Sequence, residues 1–291
     1  MLDFIINPNA GSFKGRKLKK TLKVIETHLH KNNIPYTIHR TNYKNHAIKL
    51  TSNLISNGAT DIIAIGGDGT LHEIINGFHN FENVNLGLIP CGTGNDFATA
   101  VGLPKKKPLK ALEVILNKTP VYTDYMQMPG VRGMNIIGAG LDVEVLSKYE
   151  QLKRKNKISY YICLVKALIS FDNIKFKAIT EDGEGEYTSF IAGIANGKQF
   201  GGGMRLCSEA DVADGKLNFV AVNSVKKSKI PGLLLTFLRG KILSHPGTTM
   251  IKTEHIKIET DSPVTVNIDG ELYENIPFEV SVVSNKLKMY R

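Results

Sequence analysis

The chain has no tryptophan, only three cysteines in 291 residues, and a shortage of acid: 27 Asp and Glu face 37 Lys and Arg, a formal net charge of +10. Cys91, Cys163 and Cys207 lie too far apart for a zinc spacing and are too few for a disulfide framework. No apolar run reaches the ~20 residues that span a bilayer as a helix. The longest, Ile158 to Phe171, is interrupted by Lys166. The start, MLDFIINPNAG, carries no basic segment ahead of its apolar residues and does not read as a signal peptide. Neither G-x-x-x-x-G-K-[ST] nor G-x-G-x-x-G occurs. A P-loop NTPase is therefore excluded, and a dinucleotide-binding Rossmann site has no fingerprint. What is left is an expected cytoplasmic protein whose 42% hydrophobic content is enough to build packed cores.

The basic residues cluster at Lys14, Arg16, Lys17, Lys19, Lys20 and Lys23, at Lys105–Lys107, and at Lys153, Arg154, Lys155 and Lys157. An anionic membrane face, phosphate-rich small molecules and nucleic acid all suit such charge. Nucleic acid is disfavoured, because no binding motif and no interleaved aromatics accompany the lysines. Ordinary solvated helix faces give the same pattern.

The first 125 residues alternate strand and helix patterns. Leu2–Asn7 reads as a buried strand, followed by a helix with Leu18, Leu22, Ile25 and Leu29 on one face. Tyr36–Arg40 is a strand, and Ala47, Leu50, Leu54 and Ile55 mark a helix that stops at Asn57-Gly58. Asp61–Ile65 runs into Gly66-Gly67-Asp68-Gly69-Thr70 and a helix with Leu71, Ile74, Ile75 and Phe78 inward. Leu86–Ile89 ends in Pro90-Cys91-Gly92-Thr93-Gly94-Asn95-Asp96. This rhythm predicts a mostly parallel sheet with helices on both faces.

Near Val121 the pattern changes to strands: Val121–Gln127, Met134–Ala139, Ile174–Thr180, Thr188–Ala195, Leu217–Val222, His255–Glu259, Val264–Ile268 and Phe278–Val283. Turn signals at Glu181-Asp182-Gly183, Asp214-Gly215 and Asp269-Gly270 separate several of them. Two helical patterns interrupt. In one, Ile158, Tyr161, Ile162, Val165, Leu168 and Ile169 form a single amphipathic face; the other is Ile230–Leu238. A second, β-rich domain is expected.

In open parallel sheets ligands bind outside the carboxyl ends of the strands. Three loops at such ends are rich in Gly, Asn and Thr: Asn7–Gly11, Gly66–Thr70 and Cys91–Asn95. Glycines let backbone N–H groups approach a bulky anion, and the helix starting near Thr70 adds its dipole. Asp68 amid them repels phosphate, so a divalent cation is expected to mediate. Asn95 or Asp96 is expected to cap the helix that runs to Val101.

Asn7-Pro8-x-Ala10-Gly11, Gly66-Gly67-Asp68-Gly69-Thr70-Leu71-x-Glu73 and Pro90-x-Gly92-Thr93-x-Asn95-Asp96-Phe97 resemble the catalytic-domain signature of the diacylglycerol kinase family. More closely they are similar to its soluble bacterial lipid kinases, relatives of sphingosine kinases and, more distantly, of NAD kinases. Gly138-Ala139-Gly140-Leu141-Asp142, Asn196-Gly197, Gly201-Gly202-Gly203-Met204, Asp214-Gly215-x-Leu217 and Asp269-Gly270-Glu271 extend the resemblance over nearly the whole chain. Two positions depart from the usual pattern, Cys207 in place of Pro and His72 in place of Asn. Cys91 reads as a buried filler.

The resemblance implies a two-domain lipid kinase/NAD kinase-like α/β fold. A Rossmann-like nucleotide-binding domain covers residues 1–125, with 286–291 returning to it, and a β-sandwich-like lipid-substrate domain covers 126–285, the active site lying in the cleft between them. It places Asn7, Pro8, Asn9, Ala10, Gly11, Thr41, Gly66, Gly67, Asp68, Gly69, Thr70, Leu71, Glu73 and Thr93 around ATP. Asp68, with Asp96 and Asp124, would organise Mg²⁺, and the loop of Asp211, Asp214 and Lys216 would hold a structural Mg²⁺. Glu271 is favoured as base with Asp269 as its partner; on local pattern alone, Asp269-Gly270 is simply a turn. The implied acceptor is a lipid hydroxyl, diacylglycerol first, with phosphatidylglycerol, a long-chain base or a polyprenol as alternatives. An NAD kinase-like enzyme and an inactive nucleotide sensor are the rival readings. Transient contact with an anionic membrane surface is expected, through Lys153–Lys157 and the helix after them, and a homodimer is left open.

Overall fold

The computed structural model describes residues 1–9, 14–152, 157–223 and 229–291. It divides into two compact units, Met1–Asp124 with Ser284–Arg291, and Tyr125–Val283.

The first unit runs β1 (Leu2–Ile6), α1 (Gly15–Lys31), β2 (Tyr36–Arg40), α2 (His46–Ser56), β3 (Asp61–Gly66), α3 (Asp68–Gly77), β4 (Asn85–Pro90), α4 (Asp96–Ala100), α5 (Pro108–Asn117) and β5 (Val121–Tyr122). The second begins with β6 (Tyr125–Met128), β7 (Val131–Gly133), β8 (Ile136–Gly140), α6 (Leu141–Glu150), α7 (Lys157–Ser170), β9 (Ile174–Thr180) and β10 (Gly183–Ala195). It continues with β11 (Gln199–Phe200), β12 (Met204–Arg205), β13 (Leu217–Asn223), α8 (Ile230–Arg239), β14 (Thr248–Thr253), β15 (His255–Thr260), β16 (Val266–Ile268), β17 (Glu271–Tyr273) and β18 (Glu279–Val283). The chain then returns to the first unit as β19 (Lys288–Met289).

The first sheet has the order β2-β1-β3-β4-β19-β5. All its pairs are parallel except β19 with β5. β1, β3 and β4 are apolar almost throughout and buried, as strands covered on both faces must be. α1 explains its own placement: Leu18, Leu22, Ile25 and Leu29 are buried at helical spacing, while the lysines between them stay in water. Gly58, at φ +83°, ends α2 in the left-handed conformation that glycine adopts without strain.

The second unit is antiparallel, with the path β17-β16-β8-β10-β9-β15-β18-β6-β7 and with β13 and β14 branching from β10. β10 serves two neighbourhoods: Gly183–Ser189 pairs with β9, and Ile191–Ala195 lies between β8 and β13. The register shifts between Ser189 and Ile191, where the strand changes partners. Its interior cluster includes Ile137, Phe176, Phe219, Ile256 and Ile268. A second cluster packs α6, α7 and α8 onto the sheet through Val145, Leu164, Ala167, Phe190 and Phe237.

Two expectations need correction. Val121–Gln127 is not one strand: β5 ends in the first unit and β6 begins the second, with Asp124 at the boundary. The apolar face assigned to α7 is also divided. Cys163, Leu164 and Ala167 are its buried side, whereas Ile158, Ile162, Val165 and Ile169 are exposed. Periodicity locates an apolar stripe but cannot say whether anything packs on it. No helix among the described residues is long and apolar enough to cross a membrane.

Candidate active site

Three loops leave the carboxyl ends of the neighbouring parallel strands β1, β3 and β4. In the first, Asn7 Oδ1 accepts the N–H of Asn9 at 2.9 Å, closing a turn through Pro8, and the Asn7 N–H donates to Ile65 O at 3.4 Å. Ala10 and Gly11 lie outside the described residues. Thr41, buried at the end of β2, donates its N–H to Ile6 O at 2.9 Å and so sits beside this loop.

The second and third loops touch backbone to backbone. Gly66 O accepts the N–H of Cys91 at 2.7 Å and of Gly92 at 3.2 Å. A Cβ on Gly67 would lie 2.9 Å from Gly92 Cα, and one on Gly92 would overlap Gly67 Cα. Only two glycines permit this approach. Asn95, buried at φ 51°, clamps the third loop by accepting the Gly92 N–H at 2.7 Å and donating to Gly92 O at 2.9 Å. Thr93 is left exposed. Asp68, Gly69, Thr70 and Leu71 form the first turn of α3, in which the N–H groups of Thr70 and Leu71 both donate to Gly67 O at 3.1 Å. The side chains of Thr70 and Leu71 are buried.

Asp68, rather than Asn95 or Asp96, caps α4. Its Oδ2 accepts the N–H of Asp96 at 3.1 Å and its Oδ1 that of Phe97 at 3.2 Å. The expected local cap is displaced because the Gly67–Gly92 contact brings the head of α3 against the head of α4, and Asn95 is spent on its own loop. The carboxylates of Asp68 and Asp96 converge at Gly94, where a Cβ would lie 3.2 and 3.1 Å from them. Lys105 Nζ donates to Gly94 O at 3.3 Å, which holds a cation beside the same loop. Among the described residues no three His, Cys, Asp or Glu side chains form a metal-holding group. Mg²⁺, however, characteristically takes one or two carboxylates and completes its octahedron with water and substrate phosphates. Asp68 and Asp96 fit that donor chemistry. Asp124 is buried at the end of the first unit.

Glu73 is engaged elsewhere in the unit. Its two oxygens accept the N–H groups of Asn45 and Ala47, both at 3.0 Å, so it caps α2 from a neighbouring helix. Cys91 is buried, and burial pushes its thiol up to about 12 with only a small opposing effect of Lys17. It is a filler, not a nucleophile.

In the second unit Asp269 and Gly270, at φ 55° and 97°, form the two-residue turn between β16 and β17, with Ile268 opposite Glu271. The Asp269 carboxylate accepts three backbone N–H groups, from Met134 at 2.6 Å, Asn135 at 2.8 Å and Ile136 at 3.1 Å. Its own N–H donates to Ile136 O at 3.1 Å. Asp269 thus pins the turn to the segment before β8. Glu271, one residue past the turn, is half-buried. In the Asp211 loop, Asp211 accepts the N–H of Ala213 at 3.1 Å and Asp214 that of Lys216 at 3.0 Å. Asp214 also pairs with Lys252 at 2.6 Å, and Lys216 pairs with Glu254 at 2.8 Å.

Comparison with known proteins decides the family. The diacylglycerol kinase catalytic domain matches residues 2–128, and the YegS C-terminal NAD kinase beta sandwich-like domain matches residues 135–291. A diacylglycerol kinase of Bacillus subtilis is 30% identical over 226 residues, covering 75% of this chain and 73% of that protein. The chain belongs to the YegS/diacylglycerol kinase family of lipid kinases. Its fold is similar to that of a diacylglycerol kinase from Bacillus anthracis, with TM-score 0.76 and 22% identity over 99% of this chain and 96% of that one. It is also similar to an NAD kinase from Archaeoglobus fulgidus solved in complex with ATP, with TM-score 0.53 and 11% identity over 100% of this chain and 94% of that one.

The lipid kinase has a narrow apolar pocket within its second unit, lined by Leu141, Val145, Leu164, Ile191, Phe200 and Phe237 among others. Asp142 is the charged residue in that lining. Asn267 Nδ2 donates to its Oδ2 at 3.1 Å, while its Oδ1 is buried without a hydrogen-bond partner. Asn267 Oδ1 in turn accepts the Gly270 N–H at 2.8 Å, tying the pocket to the turn that carries Glu271. Burial pushes the Asp142 carboxyl up to about 6, against the Asn267 amide, which favours the ionised form. A carboxyl that holds its proton more tightly when folded loses stability as pH rises from the unfolded value near 3.8 to about 6. Above that the cost is complete, about 3 kcal/mol. Asp142→Asn is therefore expected to raise the unfolding temperature at pH 8 by several degrees and to leave it nearly unchanged at pH 4. Thermal unfolding at the two pH values checks this.

The sequence pattern gives Asp142 no role beyond its place in the stretch Gly138–Asp142, shows Lys105 only as part of a basic run, and does not single out Asn267. The signal was weak in each case. A lone Asp after a strand, an Asn within one and a Lys in a run of three are all common on surfaces; only burial and long-range partners set these apart.

Proposed function

We propose that this lipid kinase transfers the γ-phosphoryl group of ATP to the hydroxyl of a lipid, with diacylglycerol as the leading acceptor and phosphatidic acid as product. The observation that carries the reading is the fused glycine cradle, Gly67 against Gly92, with Asp68 bridging the heads of α3 and α4. Such a cradle lets the backbone of two loops and the N-terminal end of α3 approach a polyphosphate closely. Thr93 and Gly69 line its exposed side in this reading, and the turn at Asn7 borders it. Asp68 and Asp96 would hold Mg²⁺, which when bound neutralises charge on the β- and γ-phosphates.

The second unit supplies the base. Asp269 holds the turn through the three N–H groups on its carboxylate, and in this reading Glu271, next in the chain after the turn, takes the proton of the acceptor hydroxyl. The hydroxyl oxygen then bonds to the γ-phosphorus as the bond to the bridging oxygen breaks and ADP leaves. Diacylglycerol is favoured by the name of the Bacillus subtilis relative. The similarity to an ATP-bound NAD kinase supports ATP as donor and makes NAD the soluble competitor to be tested.

The test is transfer of labelled γ-phosphate from ATP in mixed micelles to diacylglycerol, phosphatidylglycerol, sphingosine and undecaprenol, with NAD as the soluble control. Label on diacylglycerol that disappears without Mg²⁺ is the expected result. Label on another lipid moves the acceptor but keeps the reaction, label on NAD alone overturns the lipid assignment, and ATP binding without any transfer points to a sensor.

A further inference from the structure

We infer that Asn267 is a positioning residue for Glu271, and that Asp142 fixes the direction in which its amide works. Glu271 follows the Asp269-Gly270 turn directly and opens β17, a strand of three residues at the end of the sheet path. So short an edge strand fixes its first side chain only as well as the turn before it is fixed. Asp269 is anchored through its carboxylate, as described above. Gly270 needs an anchor of its own. In a two-residue hairpin the ladder bonds are made by the flanking pair, here Ile268 and Glu271, and the N–H of the second turn residue falls outside the ladder. Asn267 Oδ1 accepts that N–H at 2.8 Å.

An asparagine amide can be turned end for end, and here its two partners forbid it. The Gly270 N–H can only donate and an ionised Asp142 carboxylate can only accept. Nδ2 therefore faces Asp142 Oδ2, at 3.1 Å, and Oδ1 faces the turn. Gly138 makes this reach possible. It stands opposite Asn267 in the register of β8 with β16, and a Cβ there would lie 2.5 Å from Asp142 Oδ2. The carboxylate thus lies over a bare strand residue and meets the residue across from it. Asp142 is 4% exposed, sits in the wall of the apolar pocket, and has no hydrogen-bond partner for Oδ1. A carboxyl buried in this way opposes folding. What it provides is a fixed amide on the strand that pairs with the one bearing the base.

The inference rests on the reading of Glu271 as base. Its test is phosphotransfer in mixed micelles to whichever lipid of the panel above takes label from the wild type. Asn267→Ala is expected to lower kcat about tenfold to a hundredfold, the effect of a reacting group displaced by about 1 Å, with KM for ATP unchanged. In a Glu271→Gln background the same change should cost less than about twofold, because no base is left to misplace. Asn267→Asp sets two carboxylates against each other and should be at least as slow. Adding Asp142→Asn to it exchanges the pair: the carboxylate at position 267 then accepts both the Gly270 N–H and the amide at position 142. In that double variant kcat should return to within about threefold of wild type. Thermal unfolding shows which proteins are folded at the assay temperature, and the exchange carries the test if Asn267→Ala is not. Wild-type kcat in Asn267→Ala, an equal loss in both backgrounds, or an exchange variant as slow as Asn267→Asp overturns the role of Asn267 and leaves the reading of Glu271 intact. Full activity of Glu271→Gln removes that reading, and the inference with it.

Discussion

Glu271→Gln is expected to lower phosphotransfer about 10³-fold, the usual contribution of a positioned general base, with ATP affinity and thermal stability unchanged. Glutamine keeps the size and hydrogen-bonding reach of the side chain at a half-buried position but cannot accept the acceptor's proton. Asp269→Asn should fail differently. The carboxylate there meets three N–H groups, and an amide has one oxygen for them; its NH₂ would face the N–H of Met134, donor against donor. Leaving such a group unpaired costs about 1–3 kcal/mol, so the asparagine variant should unfold several degrees earlier and lose activity through a displaced turn. Thermal unfolding and single-turnover transfer, measured on both variants, separate the two carboxylates. Full activity in Glu271→Gln would sink the assignment of the base, and a stable but inactive Asp269→Asn would hand the role to Asp269.

Gly92→Ala carries the second large effect. Its methyl group would overlap Gly67 Cα, a backbone atom that cannot rotate away. The two Gly-rich loops must then separate, and with them the N–H contacts from Cys91 and Gly92 to Gly66 O and the reach of Asp68 to Asp96 and Phe97. Overpacking of this kind costs about 1–3 kcal/mol or more, and here it falls on the cradle itself. ATP affinity, measured by calorimetry, should drop by more than about tenfold, roughly 1.4 kcal/mol, and transfer should drop with it. Wild-type ATP binding in this variant would mean that the nucleotide does not use the cradle.

Much of the first unit is legible residue by residue. The strands ended where the apolar runs met Asn7, Gly66 and Pro90, because a strand buried on both faces must be apolar and its ligand-bearing end must turn. The helices α1 and α3 declare their inner faces through their spacing, whereas in α2 Ala47 and Ile55 are buried together with Thr51, and Leu50 and Leu54 are only half-buried. The glycines at 66, 67 and 92 were visible as turn formers, although nothing local shows that 67 and 92 press on each other across the gap between two loops.

The local sequence determined the βα rhythm, the change to strands after Val121, the Gly-rich loops at the strand ends and, through the linear order of its motifs, the lipid kinase family. Tertiary structure alone decided which side chains are committed and which are left for chemistry. Asp68 is bound to the head of a helix 28 residues away, Glu73 to one 28 and 26 residues back, and Asp269 to a segment more than 130 residues earlier. It also decided that β19 enters the first sheet between β4 and β5, and that one stripe of α7 faces out. Periodicity and turn chemistry act over a few residues, whereas a carboxylate's partner is chosen by whichever N–H groups the finished fold brings within 3 Å.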